Sequence, residues 1–423
     1  MAKYLLFLLC VALLSPACQK EAGPAPGGPT VVVHWHFGGT PGQKSWLGAA
    51  VEEFNVTHKD IQVELHFKDW FTQRESLISN TIMGEGPDLL HILHRYSAEF
   101  GGLGGLHALD NFPDFPQVKE RFFPNVMELV AFDGKHYGIP MTMLPFVLAV
   151  NKKILADHGL KTPSTWEEMK ALGPVLKEHG IHAFTMPGGP KGDTSYRFFP
   201  LLCKAGGRVL NEDQTQAAFN GPAGVAALSF LVDMQQQGFL PAASAAYLWD
   251  ENLAHWCTEK AATSIEGPWW QDVIRTQYDF DLSKMELAPV PGPSQLFEGH
   301  PPRTLLDVPM VSITGYSKAK EEAWIVLKAL FADHPGLLEL DPIMTGLPTQ
   351  KAAYEGEIES DFIDLDVLLS EAQLGLGWSG HPRIAEIQII LAIAVNTAFT
   401  GTMGPQEALD AAAEEVNEIL NDF

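Results

Sequence analysis

Thr30-Val-Val-Val-His-Trp-His-Phe37, followed by Gly38-Gly-Thr-Pro41, is the stretch on which the fold turns. A β-branched run that ends in glycines reads as a strand delivering the chain into a loop. Ser45 to Phe54 then places Trp46, Leu47, Ala50, Val51 and Phe54 at helical spacing. Outward from there, Ile61 to Phe67 alternates as a second strand, Arg74 to Met83 reads as a helix, and Pro87-Asp-Leu-Leu-His-Ile-Leu93 as a third, apolar strand. Strands alternating with helices imply an α/β fold with a parallel sheet, and such sheets bind ligands at the carboxyl ends of their strands. That rule brings the loops Trp35 to Gly39, Asp69 to Phe71 and His91 to Tyr96 to one rim. Trp35, His36, Asp69, Trp70, Arg95 and Tyr96 are the candidate contacts there.

A second unit begins after Tyr137-Gly-Ile-Pro-Met141, where the apolar run Leu144 to Val150 leads into Asn151-Lys-Lys. Ser164 or Thr165 can cap a helix whose first turn carries Glu167 and Glu168 against its positive end. Helices are predicted over Tyr196 to Ala205, Pro222 to Gln236, Leu248 to Thr258 and Lys318 to Phe331, with strands at Ala261 to Ile265 and Leu305 to Ile313. A helical tail runs from Pro382 to Leu420, broken at Gly401 to Pro405.

The amino terminus carries compartment information. Lys3, the apolar run Tyr4 to Leu14 and then Ser15-Pro-Ala-Cys18 form a signal-peptide pattern over residues 1–17. The run is roughly a dozen residues, against the roughly 20 that a spanning helix needs. Residues 18–29, rich in Gly, Pro and Ala, read as a flexible tether. Roughly 390 residues then remain, more than one core usually serves. Asp and Glu number 52 against 28 Lys and Arg, a formal charge of −24. Nucleic acid and anionic membrane surfaces both demand basic patches, so neither is expected as a partner. Cys10 falls in the leader, which leaves Cys203 and Cys257 to pair or, as expected, to stay as buried free thiols.

Seven pieces in order resemble the periplasmic solute-binding proteins of ABC importers, in the branch that takes maltose, trehalose and glycerol phosphate. They are Gly86-Pro-Asp, Tyr137-Gly-Ile-Pro, Asn151-Lys-Lys-Ile-Leu with Pro163-Ser-Thr-Trp-Glu-Glu-Met, Glu266-Gly-Pro-Trp, Ser317-Lys-Ala-Lys-Glu-Glu-Ala-Trp, Gly346-Leu-Pro-Thr-Gln-Lys-Ala-Ala-Tyr, and Gly401 followed by Glu407-Ala-Leu-Asp. The resemblance implies a two-lobed periplasmic-binding-protein fold of type II. Its lobes are discontinuous: residues 30–141 with 308–342, and residues 142–307 with 343–423. Crossings fall near Met141, Leu305 to Val311 and Asp341 to Pro348, and form a hinge by which the lobes close over ligand. Cys18 resembles the acylated cysteine of a lipoprotein, although Ser15 stands where a leucine is usual. The implied partners are a carbohydrate, the permease subunits of an importer, and the membrane through the lipid alone; the protein is expected to be a monomer without cofactor.

Sugars present hydroxyl edges and apolar C–H faces, so their sites pair aromatic platforms with polar groups. The resemblance makes Trp269 the floor under a sugar ring, with Trp270 a lesser candidate, and makes Tyr196 a stacking residue beside Arg197. Trp378, His381 and Arg383 fall where the family places late contacts. Asp307, a lone charge in an apolar strand, is either a satisfied structural carboxylate or a hydrogen-bonder in the cleft. Leu144, where some maltose binders carry an acid, and Gly38-Gly39-Thr40, in place of a charged pair, argue against maltodextrin itself.

His34-x-His36, with His91 and His94, allows a metal-binding reading that no neighbouring cysteine or His-Glu-x-x-His spacing supports. Neither a Gly-x-Ser-x-Gly elbow nor a P-loop occurs, and sequence cannot set two carboxylates at the separation glycoside hydrolysis requires, so catalysis is not expected. An anionic ligand such as glycerol phosphate would need clustered cations, for which only Arg95, Arg197 and Arg383 are on offer. A sensor subunit serving a receptor kinase would use the same sugar site.

Overall fold

The computed structural model describes residues 28–378 and 380–422. The leader, Cys18 and residues 18–27 of the tether lie outside the described residues. Thr30–Phe37 is the strand expected, paired in parallel with Ile61–Lys68 on one side and with Leu89–Leu93 on the other. Thr40 caps the following helix, Pro41–Thr57, its hydroxyl accepting from the Gln43 amide at 3.2 Å, and Pro41 occupies the first turn where no amide is missed. Leu47, Ala50, Val51 and Phe54 form the buried stripe of that helix.

The sheet is not wholly parallel. Pro309–Ile313 runs antiparallel beside Leu89–Leu93, and Ile139–Pro140 completes the order. A second sheet orders Met285–Ala288, Val147–Asn151, Ala261–Glu266 and His182–Thr185, and only its last pair is parallel. Both departures have one cause: the added strands enter from crossing segments rather than through a βαβ turn.

A third sheet joins the other two, with strand order Leu347–Pro348, Thr142–Pro145, Thr304–Asp307, Gly375–Leu376. The apolar run from Leu144 is therefore two strands parted at Phe146, the first in the joining sheet and the second in the second sheet. Leu305 to Ile313 is likewise parted at Val308, so one residue carries the chain from the joining sheet into the first.

Two apolar cores result. Alternation along Val147–Asn151 sends Val147 and Ala149 into one core and Leu148 and Val150 into the other. The first core extends from the first sheet through Trp256, Trp270 and Phe280, so it reaches beneath the second sheet. Cys203 and Cys257 are buried free thiols in different cores, and burial lifts both to about 12. Thr165 is the cap of helix Trp166–Glu178, accepting from the Glu168 amide at 3.1 Å. Among the described residues no helix is long and apolar enough to cross a membrane.

Candidate functional site

A cavity of about 280 Å³ lies where the three sheets meet. The first sheet contributes Gly38 to Thr40 and Gln43, with Trp70, Phe71, His91 and Pro309; the joining sheet contributes Leu144, Phe146, Asp307 and Thr345. From the second sheet come Asp193, Tyr196 and Arg197 on one helix, Trp249, and Trp269 with Val273 and Gln277 on another. The strand-end loops reach it because parallel strands all deliver their carboxyl ends to one rim. Gly38 adopts φ +75°, and a Cβ there would come 2.7 Å from the Trp70 ring, so the loop and the indole can lie together only without a side chain at 38.

The aromatic part of the wall is built on Phe146. Its ring lies 5.8 Å from Tyr196, nearly parallel, and 5.3 Å from Trp269 at 69°. Behind Tyr196 stands the buried Trp378, edge-on at 5.6 Å, itself against Phe199 at 4.6 Å. The Tyr196 hydroxyl is buried and has no hydrogen-bond partner among the described residues. In front of it, Arg95 spreads its guanidinium 5.4 Å over the ring.

The polar part is held rigidly. Asp307 is buried, 3.0 Å from His94 Nδ1 and 3.9 Å from Arg95 Nη1, and its Oδ1 accepts from the Val308 amide at 3.1 Å. Arg197, also buried, binds Glu266 with two of its nitrogens and lies 3.7 Å from Asp193 Oδ1. Burial raises Asp193 above the usual carboxylate range, with Arg197 opposing the shift.

Residues 38–333 match the family of bacterial extracellular solute-binding proteins, well over half of the chain. The chain belongs to that family. A Brucella abortus binding protein is 23% identical over 379 residues, covering 87% of this chain and 88% of the relative. The diacetylchitobiose binding protein DasA of Streptomyces coelicolor is 24% identical over 200 residues, 46% of this chain and 44% of that one. The fold is that of two-lobed periplasmic binding proteins: the GacH receptor of Streptomyces glaucescens, solved unliganded and with acarbose, superposes at TM-score 0.81 with 19% identity, over 93% of this chain and 99% of its own. Maltose-bound MalE3 of T. maritima gives 0.78 at 22%, over 92% and 100%.

In this solute-binding protein five of the residues singled out from sequence line the cavity: Trp70, Tyr196, Arg197, Trp269 and Asp307. Arg95 touches its wall through Tyr196 and Asp307, and Trp378 supports the wall from behind. The rest lie elsewhere. Trp35 is turned to Lys68, whose Nζ sits 4.3 Å over its ring, because successive strand residues face opposite sides. Tyr96 is buried against Phe100, and Trp270 is wholly buried against Trp256. One helical step of about 100° separates Trp270 from Trp269, enough to turn it from cavity to core. Asp69 is exposed and caps a short turn, its Oδ1 accepting from the Phe71 amide at 2.9 Å. His381 accepts from the Arg383 amide at 3.1 Å, and Arg383 pairs with Glu386 at 2.5 Å.

His36 is fully buried behind the wall. Its ring stacks on His91 at 3.8 Å, and its Nδ1 lies 3.4 Å from His34 Nε2. Burial drives all three imidazoles down, His34 to about 3 and His91 to about 4, so they are neutral at pH 7. The stack turns ring faces together, and His94 is spent on Asp307; among the described residues no group of three or more His, Cys, Asp or Glu is disposed to hold a metal.

Away from the cavity lining, Arg74 from helix Gln73–Met83 binds Glu99 at 2.7 Å and Glu386, on helix Ile384–Phe399, at 3.2 Å. With Arg383 on the far side of Glu386, two arginines and two glutamates clasp the first sheet's helices to the second's.

Phe146, Trp249, Asp193 and Gln43 were not among the sequence candidates, and His91 was named only within a rim loop and in the metal reading. Phe146 sits in an unbroken apolar run that gives no sign of a sheet boundary. Asp193 does carry a signal: it stands one turn before Arg197 at a helix start.

Proposed function

We propose that this protein captures an uncharged sugar, a disaccharide or short oligosaccharide, in the cavity between its lobes and delivers it to the permease subunits of an ABC importer. Hinge closure about the joining sheet would commit the ligand, and acylation of Cys18 would keep a monomer at the membrane after export. One observation carries the reading: aromatic rings on Phe146, Tyr196 and Trp269 share one small cavity with two carboxylates, Asp193 and Asp307, whose geometry is fixed by partners. Ring faces suit sugar C–H surfaces, and fixed carboxylates accept from hydroxyls. That GacH was solved with acarbose and MalE3 with maltose, and that DasA is named for diacetylchitobiose, supports the same ligand class.

An anionic ligand finds less support. Arg197 is neutralised by Glu266, Arg95 faces Asp307, and Arg383 faces Glu386. The test is a thermal-shift screen of the purified mature chain against mono-, di- and trisaccharides, with glycerol phosphate alongside. A ligand at about 100 times its Kd adds about 2.7 kcal/mol to folded stability, a shift of several degrees. No response to any sugar, with a response to glycerol phosphate, would sink the reading.

A further inference from the structure

Arg197 is the only lysine or arginine that lines the cavity among the described residues, and His91, the other basic group there, is held neutral by burial. A lining arginine is ordinarily a receptor for a carboxylate or phosphate, which its planar fork can bind in bidentate fashion. Here the Nε/Nη2 edge of the fork is already taken by a carboxylate. Nε donates to Glu266 Oε1 and to the Ile265 carbonyl, both at 3.3 Å, Nη2 donates to Glu266 Oε2, and Nη1 donates to the Asp193 carbonyl at 3.3 Å.

Glu266 cannot turn away from this role. It is wholly buried, receives the Asn252 amide at 3.1 Å and the Ser264 hydroxyl at 3.5 Å, and Asn252 is fixed in turn by Thr185 at 2.8 Å. A buried ion pair of this kind adds little net stability, since desolvation offsets the attraction. Its place beside the cavity calls for another account.

We propose that Glu266 is a positioning residue that sets specificity: by cancelling the charge of Arg197 it makes the cavity accept uncharged sugars and refuse those bearing a carboxylate, sulfate or phosphate. The inference rests on the sugar reading above for its biological sense, but the charge cancellation is measurable without it. With Asp193 and Asp307 also on the wall, an arriving anion meets two carboxylates and an arginine whose charge is already paired. Replacing Glu266 by the isosteric glutamine keeps one acceptor oxygen, enough for Arg197 Nε and Asn252, turns the end facing Arg197 Nη2 into a donor, and removes the cancelling charge.

Burial pushes Glu266 up to about 7, with Arg197 pulling the other way and Asp193 adding to the rise. The charged groups around this centre are Arg197 and Asp193 on one helix, Asp250 and Lys191 near Asp193, and Arg95 from the first lobe. Acidification therefore acts on the native protein as the glutamine does on the variant.

The experiment is titration calorimetry of the full mature chain, native and Glu266→Gln, with sodium sulfate, glucuronate, maltose, cellobiose and trehalose. Glu266→Gln should bind sulfate and glucuronate at least about tenfold more tightly than the native chain, a change of about 1.4 kcal/mol. The double variant with Arg197→Gln should lose that gain. Folded Glu266→Gln protein with no gain, or a gain that survives Arg197→Gln, would overturn the proposal. If Glu266→Gln does not fold, native protein at pH 5.5 and pH 8 decides: sulfate affinity should rise about tenfold on acidification, and a flat profile refutes it. Failure of all three disaccharides on the native chain would count against the sugar reading alone, since the sulfate comparison is still readable.

Discussion

A methyl group on residue 267 would lie 1.8 Å from Cζ3 of Trp269, so the glycine of Gly267-Pro-Trp is what lets that indole fold back against its own backbone. Gly267→Ala should displace the ring and weaken sugar binding at least about tenfold while costing about 1–3 kcal/mol of stability; calorimetric titration and urea unfolding measure the two effects. Trp269→Ala is expected to abolish binding outright with the fold intact, and unchanged affinity would show that the indole is not a platform. Trp269 was legible because its motif is local. Trp270 was misplaced for the same reason, since a motif does not say which of two adjacent side chains faces a cavity. Tyr196 was legible, but its packing was not: Trp378 was named only as a late contact and Phe146 not at all, since they lie 182 and 50 positions away in the chain and meet it only through the fold.

At the level of strands and helices, alternation and glycine punctuation gave most elements, because the strand Thr30–Phe37 and the helix Pro41–Thr57 carry their own periodicity and cap. What hydropathy could not give was the change of sheet at Phe146 and at Val308, because an apolar run looks alike whichever sheet it enters. Antiparallel pairing of Pro309–Ile313 was hidden for that reason too. Asp307 sits at such a passage, and its carboxylate is the partner of both His94 and Arg95. Asp307→Ala should leave Arg95 without its counter-charge and His94 without its partner, and cost about 3–5 kcal/mol in urea unfolding. Asp307→Asn, which still accepts a hydrogen bond, should cost less. Equal stability of native and alanine forms would mean that the trio does not hold the joining sheet.

For the molecule as a whole, pH should act most through the imidazoles of His34, His36 and His91. Each has a folded pKa below its unfolded value near 6.5, so the stability tied to its neutral form is present above pH 6.5 and drains away as pH falls toward 4 and 3. About 1.4 kcal/mol per pH unit is lost for each imidazole forced to charge. Lys44 and the like-charged neighbours within the trio add to the penalty, while Glu266, whose pKa is raised, contributes in the opposite sense and favours the fold below pH 7. Melting temperature should therefore fall steeply between pH 6 and pH 4, and His36→Phe should flatten that slope; a variant with the native slope would move the acid-sensitive site elsewhere.

The clasp of Arg74, Glu99, Glu386 and Arg383 has a consequence for speed rather than for strength. Its side chains are partly open to solvent, so salt screens it, whereas the aromatic floor beneath is indifferent to salt. The clasp ties helix Gln73–Met83 to helix Ile384–Phe399, so an opening that parts those helices must break it, and where such opening precedes binding the association rate of an uncharged ligand should rise with ionic strength. Stopped-flow tryptophan fluorescence should register that acceleration, and Glu386→Gln should reach the fast rate already at low salt. An uncharged ligand would thus be captured faster in brine than in fresh water.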